Sequence, residues 1–245
     1  MALGLLSGGD KSSAAGYWSE ARQPLASLVF VAPLLVIYEL GVVVLRVQTG
    51  ADVWMRKTLN LLGFSQHLLL PVLTVALLLG WHHIKRARWR VPPGVLPGML
   101  AESLLLAIAL RMILQLQKGL FGLVSGPSTA SIADKCKQLV GNLIGYLGAG
   151  IYEELLFRLI LLSLVLWLLY RLGVSGRKSF LIGVIATSLL FAVAHYVGPY
   201  GEQFQMFSFV FRFVAGVFFS VLFLYRGFGI AAGTHAFYDI LVSLW

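Results

Sequence analysis

The sequence predicts an all-α protein, a polytopic transmembrane helical bundle of about seven spans with one additional interfacial or re-entrant helix. Of its 245 residues, 59% are hydrophobic and 12% are charged, whereas soluble domains carry about 25% charged residues. The apolar runs are continuous rather than alternating, which argues against a transmembrane β-barrel. Several runs approach the roughly 20 residues that a helix needs to cross a bilayer. We therefore expect a single integral-membrane domain over residues 1–245.

The charge balance indicates membrane lipids rather than nucleic acid as partners. The net charge of +9 arises from 19 Lys and Arg residues against 10 Asp and Glu residues. In a membrane protein such an excess reflects topology and contact with anionic lipids. The single cysteine, Cys136, excludes an intrachain disulfide framework and a cysteine-based zinc site.

The N-terminal half is predicted to contain a polar arm and three spans. Residues 1–24 are polar, and we expect no cleavable signal peptide because they contain no sufficiently long apolar stretch. A basic cluster at residues 85–90, followed by Pro-Pro-Gly, separates the second span from the third. The three spans cover residues 25–45, 66–84 and 97–116.

The C-terminal half is predicted to contain four more spans. Residues 138–150 are rich in glycine and too short to cross a bilayer, so we interpret them as the interfacial or re-entrant helix. The end of the bundle that holds residues 85–90 has more Lys and Arg outside the spans, and the positive-inside rule assigns it to the cytoplasm. The four spans cover residues 151–171, 179–197, 207–225 and 228–244.

Charged residues within the predicted spans need partners, because an unpaired charge in a bilayer is costly. Glu102 and Arg111 are nine residues apart, about 180° around a helix, and so cannot pair with each other. Glu39 and Arg212 are candidates for a structural ion pair between two spans.

The motif that dominates the chain is Ile-Tyr-Glu-Glu-Leu-Leu-Phe-Arg at residues 151–158. A charged group near the bilayer centre costs roughly 2.5–3.5 kcal/mol, so three charges this close together need partners. Glu154 and Arg158 are four residues apart with the acid first, an arrangement that pairs them on one helix face. Glu153 is rotated by about 100° from Glu154 and gains no partner from the motif. It is therefore the carboxylate available for chemistry.

Two further motifs bring histidines to the same region. Phe-x-x-x-His ends the fifth span at His195, and His-x-x-x-Asp lies in the last span at His235 and Asp239. Because consecutive spans run in opposite directions, Glu153 and His195 are expected on the same side of the membrane. His235 and Asp239 are four residues apart and share a helix face.

These residue types allow more than one chemistry. A carboxylate with a histidine can activate water as a general base, and a second polar pair can stabilise an oxyanion. The set Glu153, His195, His235 and Asp239 could instead hold zinc with a water in an open position. The chain lacks the His-Glu-x-x-His and Gly-x-Ser-x-Gly motifs. A structural ion pair or an ion path through a transporter remain alternatives for the buried charges.

The three motifs, in this order over residues 151–239, resemble those of the CAAX protease and bacteriocin-processing family of intramembrane endopeptidases. The resemblance implies hydrolysis of a peptide bond in or near the bilayer by water that Glu153 and His195 activate. It also implies that His235 and Asp239 complete the site or its oxyanion hole.

The resemblance further implies that Glu154 and Arg158 support the catalytic carboxylate. Family members often carry Asn where this chain has Asp239. An ionised Asp cannot donate to an oxyanion, so orientation of His235 or metal binding is the alternative role for Asp239.

From this resemblance we expect residues 138–245 to form the catalytic core and a peptide or protein to be the substrate. No residue distinguishes a zinc enzyme from a metal-free glutamate enzyme. A non-catalytic membrane scaffold or bacteriocin-immunity protein of the same fold is the second hypothesis, and an ion-coupled transporter is the third. We expect a multipass protein of a prokaryotic cell membrane.

Overall fold

A computed structural model describes residues 16–45, Val53, and residues 69–122, 132–198 and 201–244. Within these ranges all regular structure is helical, so the all-α prediction is confirmed. The α-helices are α1 Pro24–Leu45, α2 Leu69–Ile84, α3 Val95–Leu120, α4 Ile132–Glu154, α5 Ser163–Arg171, α6 Gly176–Ala194, α7 Met206–Arg226 and α8 Phe228–Ser243. A π-helical segment, Leu155–Leu162, joins α4 to α5.

Four helices, α1, α3, α6 and α7, are long and apolar enough to cross a membrane. They support an integral membrane protein. The helices α2 and α8 have 16 residues each, which corresponds to about 24 Å against a hydrocarbon core of roughly 30 Å. The total of seven spans therefore stays a prediction.

Residues 138–150, predicted as an interfacial or re-entrant helix that leads into the Glu-Glu motif, are helical, and their position relative to the membrane stays a prediction. The helix that begins at Ile132 passes through this stretch and continues without a break to Arg171. Its glycines serve close packing instead of ending the helix. A Cβ on Gly148 would collide with the ring of Tyr38 on α1.

The helix α8 lies at the centre of the bundle. All residues from Phe228 to Ala236 are buried, as expected of a helix that is apolar on every side. Small residues let its neighbours approach the backbone, since a Cβ on Gly229 would lie 2.8 Å from Cα of Ser27. The polar His235 is therefore held in the interior of the protein.

The π-helical segment and α5 run antiparallel to α6. Phe157 packs edge-on against Phe191 with ring centroids 5.2 Å apart. Further along, a Cβ on Gly183 would lie 2.8 Å from the side chain of Leu166. This pairing brings the residues that precede Phe157 next to those that follow Phe191.

Two charged residues of α3 find partners on α7 and α8. Arg226 donates from Nε and Nη2 to the two carboxylate oxygens of Glu102, at 2.5 and 2.7 Å. Arg111 donates to the carbonyl oxygen of Leu241. Both contacts join helices that are distant in sequence, as the spacing of Glu102 and Arg111 required.

The predicted ion pair between Glu39 and Arg212 is wrong. Glu39 accepts a hydrogen bond from the hydroxyl of Tyr152, and Arg212 forms a 2.6 Å ion pair with Glu202. Helical spacing shows which face a charge occupies, but it does not select among distant partners of suitable polarity.

Candidate active site

The two glutamates of the motif lie where α4 ends and the π-helical turns begin. Short π-helical stretches within longer helices are rare and are frequently found at functional sites. The hydroxyl of Ser163 donates to the carbonyl oxygen of Arg158, five residues earlier, at 3.4 Å. The wider turns therefore coincide with the part of the motif that carries Arg158.

Glu154 is fully buried and is held from two sides. Nη1 of Arg158 lies 3.1 Å from its Oε1, an ion-pair contact without hydrogen-bond geometry. Nδ1 of His235 lies 2.8 Å from the same oxygen. The pairing of Glu154 with Arg158 that the spacing predicted is thus present, and His235 joins it from α8.

Arg158 is also fixed by groups outside the motif. Its Nη2 donates to the carbonyl oxygen of Gly216 at 3.2 Å, and its guanidinium carbon lies 4.3 Å from the ring centroid of Phe191. A buried charge is tolerated only when it is paired and hydrogen-bonded. These contacts pair the charge with Glu154 and give Nη2 one hydrogen bond, whereas Nε and Nη1 make none among the described residues.

Glu153 faces both histidines. Its Oε2 lies 3.8 Å from Nε2 of His195 and 3.8 Å from Nε2 of His235. The side chain of Glu153 is 14% exposed, so it is neither sealed in the core nor open to the surroundings. Residues from α4, α8 and the end of α6 thus converge on one carboxylate oxygen.

The orientation of His195 follows from its position as the C-cap of α6. Its Nδ1 lies 2.8 Å from the carbonyl oxygen of Phe191. A carbonyl oxygen only accepts, so Nδ1 carries the hydrogen, and Nε2 of the neutral ring presents a lone pair towards Glu153. The backbone N–H of Glu202 donates to the carbonyl oxygen of His195 at 2.9 Å and fixes the turn that follows.

The ring of His235 is fixed on both edges and on one face. Nδ1 contacts Glu154, whereas Nε2 lies 3.6 Å from Oδ2 of Asp239 as well as near Glu153. Phe219 of α7 stacks on the ring with centroids 4.5 Å apart and planes inclined by 16°. The imidazole therefore keeps one orientation relative to Glu153.

The zinc alternative requires at least three donors arranged around one point. Among the described residues, no group of three or more His, Cys, Asp or Glu side chains has a geometry that could hold a metal ion. A zinc site formed by Glu153, His195, His235 and Asp239 is therefore not supported by the described residues, and no step below is routed through a metal.

Sequence reasoning missed the contribution of α7 to this site. Phe219 stacks on His235, and Gly216 lets α7 approach α6 closely, since a Cβ on Gly216 would lie 2.9 Å from Cβ of Ser188. The small residues Gly216 and Ser220, four apart, are a sequence signal of close helix packing in membranes. That signal indicates that α7 packs closely against another helix, but it does not identify α6 as the partner.

Residues 136–241 match the family model described as Type II CAAX prenyl endopeptidase Rce1-like. The resemblance to the CAAX protease family is confirmed. The Rce1-like segment contains the three motifs and every residue of the candidate site. Neither the comparison with curated proteins nor that with solved structures found a match.

Proposed function

We propose that this chain is a CAAX-protease-like intramembrane endopeptidase in which Glu153 and His195 activate water for hydrolysis of a peptide bond near the bilayer. The observation that most supports this activity is the position of Oε2 of Glu153, 3.8 Å from Nε2 of both His195 and His235. The match to a protease family over the same residues supports a peptide or protein substrate.

The gap between Glu153 and His195 has the dimensions and polarity of a water site. At 3.8 Å the two atoms are too far apart for a direct hydrogen bond. Both are acceptors when Glu153 is ionised and His195 is neutral. A water between them donates one O–H to each, and its remaining lone pairs are free for attack on a carbonyl carbon.

The proton movements follow from this placement. As the water oxygen attacks the scissile carbonyl carbon, Glu153 takes a proton from the water and the carbonyl oxygen becomes an oxyanion. Collapse of the tetrahedral intermediate breaks the C–N bond. The leaving amine then takes up a proton from the Glu153–His195 pair, which restores the starting state.

His235 is placed to stabilise the oxyanion. Its Nδ1–H is directed to Glu154, so in the imidazolium form its Nε2–H remains available as a donor to the developing negative charge. Asp239 lies 3.6 Å from that nitrogen and orients the ring. A carboxylate at Asp239 suits orientation better than direct donation, because an ionised carboxylate only accepts.

The decisive experiment is a cleavage assay on purified full-length protein in lipid nanodiscs. The substrates are a fluorogenic prenylated CAAX-type peptide and an unprenylated peptide library. Glu153→Gln and His195→Asn are expected to lower kcat by about 10²–10⁴-fold, the typical contribution of a positioned general base. Glu20→Gln, the same chemical change outside the site, serves as the control and should keep full activity.

The same cleavage assay after treatment with a chelator distinguishes this mechanism from a metal-dependent one. Cleavage that continues after dialysis against EDTA supports the metal-free mechanism, whereas cleavage that stops and is restored by zinc supports the metal-dependent one. Failure of the wild-type protein to cleave any peptide would favour the scaffold hypothesis. Ion flux across liposomes that depends on Glu153 would favour the transporter.

A further inference from the structure

A cavity lies outside the candidate active site. It has a volume of about 580 Å³ and is bounded by α2, the π-helical segment, the start of α5 and α7. Pockets of roughly 300–1,000 Å³ are typical of small-molecule sites. None of the proposed catalytic residues lines it. Phe223 of the cavity lies one helical turn beyond Phe219, which stacks on His235.

The long wall of this cavity is apolar. Trp81 and Phe223 pack with ring centroids 6.2 Å apart, and Leu77 and Leu159 complete the surface. Gly80 leaves the α2 side open, since a Cβ built there meets nothing within 4 Å. The wall therefore suits a flexible hydrocarbon chain.

Two cations stand at one end of the same cavity, Arg22 before α1 and Lys85 after α2. Nη2 of Arg22 donates to the carbonyl oxygen of Leu224 at 3.3 Å, and Nζ of Lys85 lies 4.6 Å from the ring centroid of Trp81. Burial and the neighbouring charge of Arg22 lower the pKa of Lys85. In the part of the chain that the structure describes, no carboxylate forms a salt bridge with either cation. Two neighbouring like charges favour an anion beside them.

The position of the cavity in the bundle matches a lipid leaflet. The cations lie at the basic end of the bundle, together with residues 85–90 and Arg177 and Lys178. Trp81 and Trp89 lie at the same end, where aromatic side chains of membrane proteins favour the headgroup region. The leaflet that faces a basic end is typically the cytoplasmic one, which carries the anionic lipids.

We propose that this cavity binds an anionic glycerophospholipid, with its phosphate between Arg22 and Lys85 and one acyl chain along Leu77, Trp81 and Phe223. The cations supply the preference for a negative headgroup, and the apolar wall supplies the preference for a lipid over a soluble phosphate. The acyl chain contacts Leu159, which follows Arg158 directly in the chain. A bound lipid therefore packs on the segment that holds Glu154.

Native mass spectrometry of the detergent-purified full chain, titrated with phosphatidylglycerol or phosphatidylcholine, tests the site. The wild-type protein should retain phosphatidylglycerol in preference to phosphatidylcholine. The double variant Arg22→Gln/Lys85→Gln should bind phosphatidylglycerol about 25-fold more weakly, because each cation near an anionic lipid contributes roughly fivefold in affinity. The matched control, Arg177→Gln/Lys178→Gln, removes the same charge at the same end of the bundle and should bind as the wild type does.

A second variant tests the acyl chain independently of charge. Gly80→Leu adds a side chain on the open side of the wall, where an added Cβ meets nothing within 4 Å, and should weaken phosphatidylglycerol binding while both cations remain. The proposal would be overturned if Arg22→Gln/Lys85→Gln and Arg177→Gln/Lys178→Gln lost phosphatidylglycerol affinity equally. It would also be overturned if the wild-type protein retained phosphatidylglycerol and phosphatidylcholine equally. Displacement of phosphatidylglycerol by an equal concentration of soluble glycerol 3-phosphate would overturn it as well, since the site would then recognise the phosphate alone. None of these measurements depends on peptide cleavage.

Discussion

The two adjacent glutamates have different environments although they share a backbone turn. Glu154 contacts Arg158 and His235 through one oxygen and is fully buried. Glu153 has no contact shorter than 3.8 Å to either histidine and keeps partial exposure. A group that must exchange protons with water needs accessible lone pairs, whereas a group that positions others needs fixed ones. This contrast supports Glu153 as the base and Glu154 as a positioning residue.

Arg158→Ala is expected to destabilise the protein rather than only slow it. The substitution leaves Glu154 buried beside a cavity, and removing one partner of a buried ion pair typically costs about 3–5 kcal/mol. The transition measured by thermal unfolding in nanodiscs should move to a clearly lower temperature.

Arg212→Ala is the matched control for this prediction, because it removes the same side chain from an ion pair near the surface. Glu202, the partner of Arg212, is 59% exposed, and exposed ion pairs contribute about 0–1 kcal/mol. An Arg158→Ala variant that unfolds at the same temperature as Arg212→Ala would contradict the supporting role of Arg158.

At the scale of helices, the contact between α4 and α8 determines how Glu153 meets His235. Gly150→Ala is expected to disturb that contact, because its Cβ would lie 2.6 Å from the backbone nitrogen of Ala236 and 2.8 Å from the carbonyl oxygen of Ala232. Backbone atoms cannot rotate away as a side chain can. Overpacking of this kind typically costs about 1–3 kcal/mol, and the cleavage rate should fall together with the unfolding temperature.

Gly80→Ala is the control for the overpacking expected of Gly150→Ala. Gly80 also lies within a helix, but its added Cβ meets nothing within 4 Å, so the substitution should be neutral or stabilising by roughly 0.5–1 kcal/mol. If Gly150→Ala and Gly80→Ala behave alike, close approach of α4 to α8 is not what positions the site.

The part of the site that depends on helical spacing could be predicted from the sequence. The four-residue spacing predicted the contact of Glu154 with Arg158, which the structure contains. The opposite directions of consecutive spans predicted that His195 and Glu153 lie on the same side, and the two side chains lie close together. The continuity of α4 could not be predicted in this way. Glycine lowers both hydropathy and helix propensity, and only tertiary structure shows that Gly148 packs against Tyr38.

The distant partners of the polar residues could not be predicted from the sequence either. The spacing of polar residues required a partner for Glu39, but Tyr152 and Arg212 were equally suitable in polarity. The structure selects Tyr152, next to Glu153, because α1 packs directly against α4. The π-helical register at Leu155–Leu162 has no local sequence signal comparable to a proline or a cap.

In the whole molecule, the candidate site and the proposed lipid cavity open towards different ends of the bundle. His195 ends α6 at one end, whereas Arg22, Lys85 and Gly227 lie at the other. One face of α7 reaches both regions, with Phe219 at the site and Phe223, one helical turn further, at the cavity. The membrane orientation of the bundle therefore decides which leaflet each of them faces.

Lys and Arg outside the helices are concentrated at the end that holds residues 85–90, so that end is expected in the cytoplasm and the loop after His195 outside it. Single cysteines introduced by Ser175→Cys and Gln203→Cys, in a Cys136→Ala background, test this orientation because both positions are exposed and follow opposite ends of the bundle. A membrane-impermeant maleimide on intact cells should label Gln203→Cys but not Ser175→Cys, and permeabilised cells should allow labelling of both. The reverse pattern on intact cells would place the candidate site on the cytoplasmic side, where enzymes that process the C-termini of cytoplasmic proteins must act.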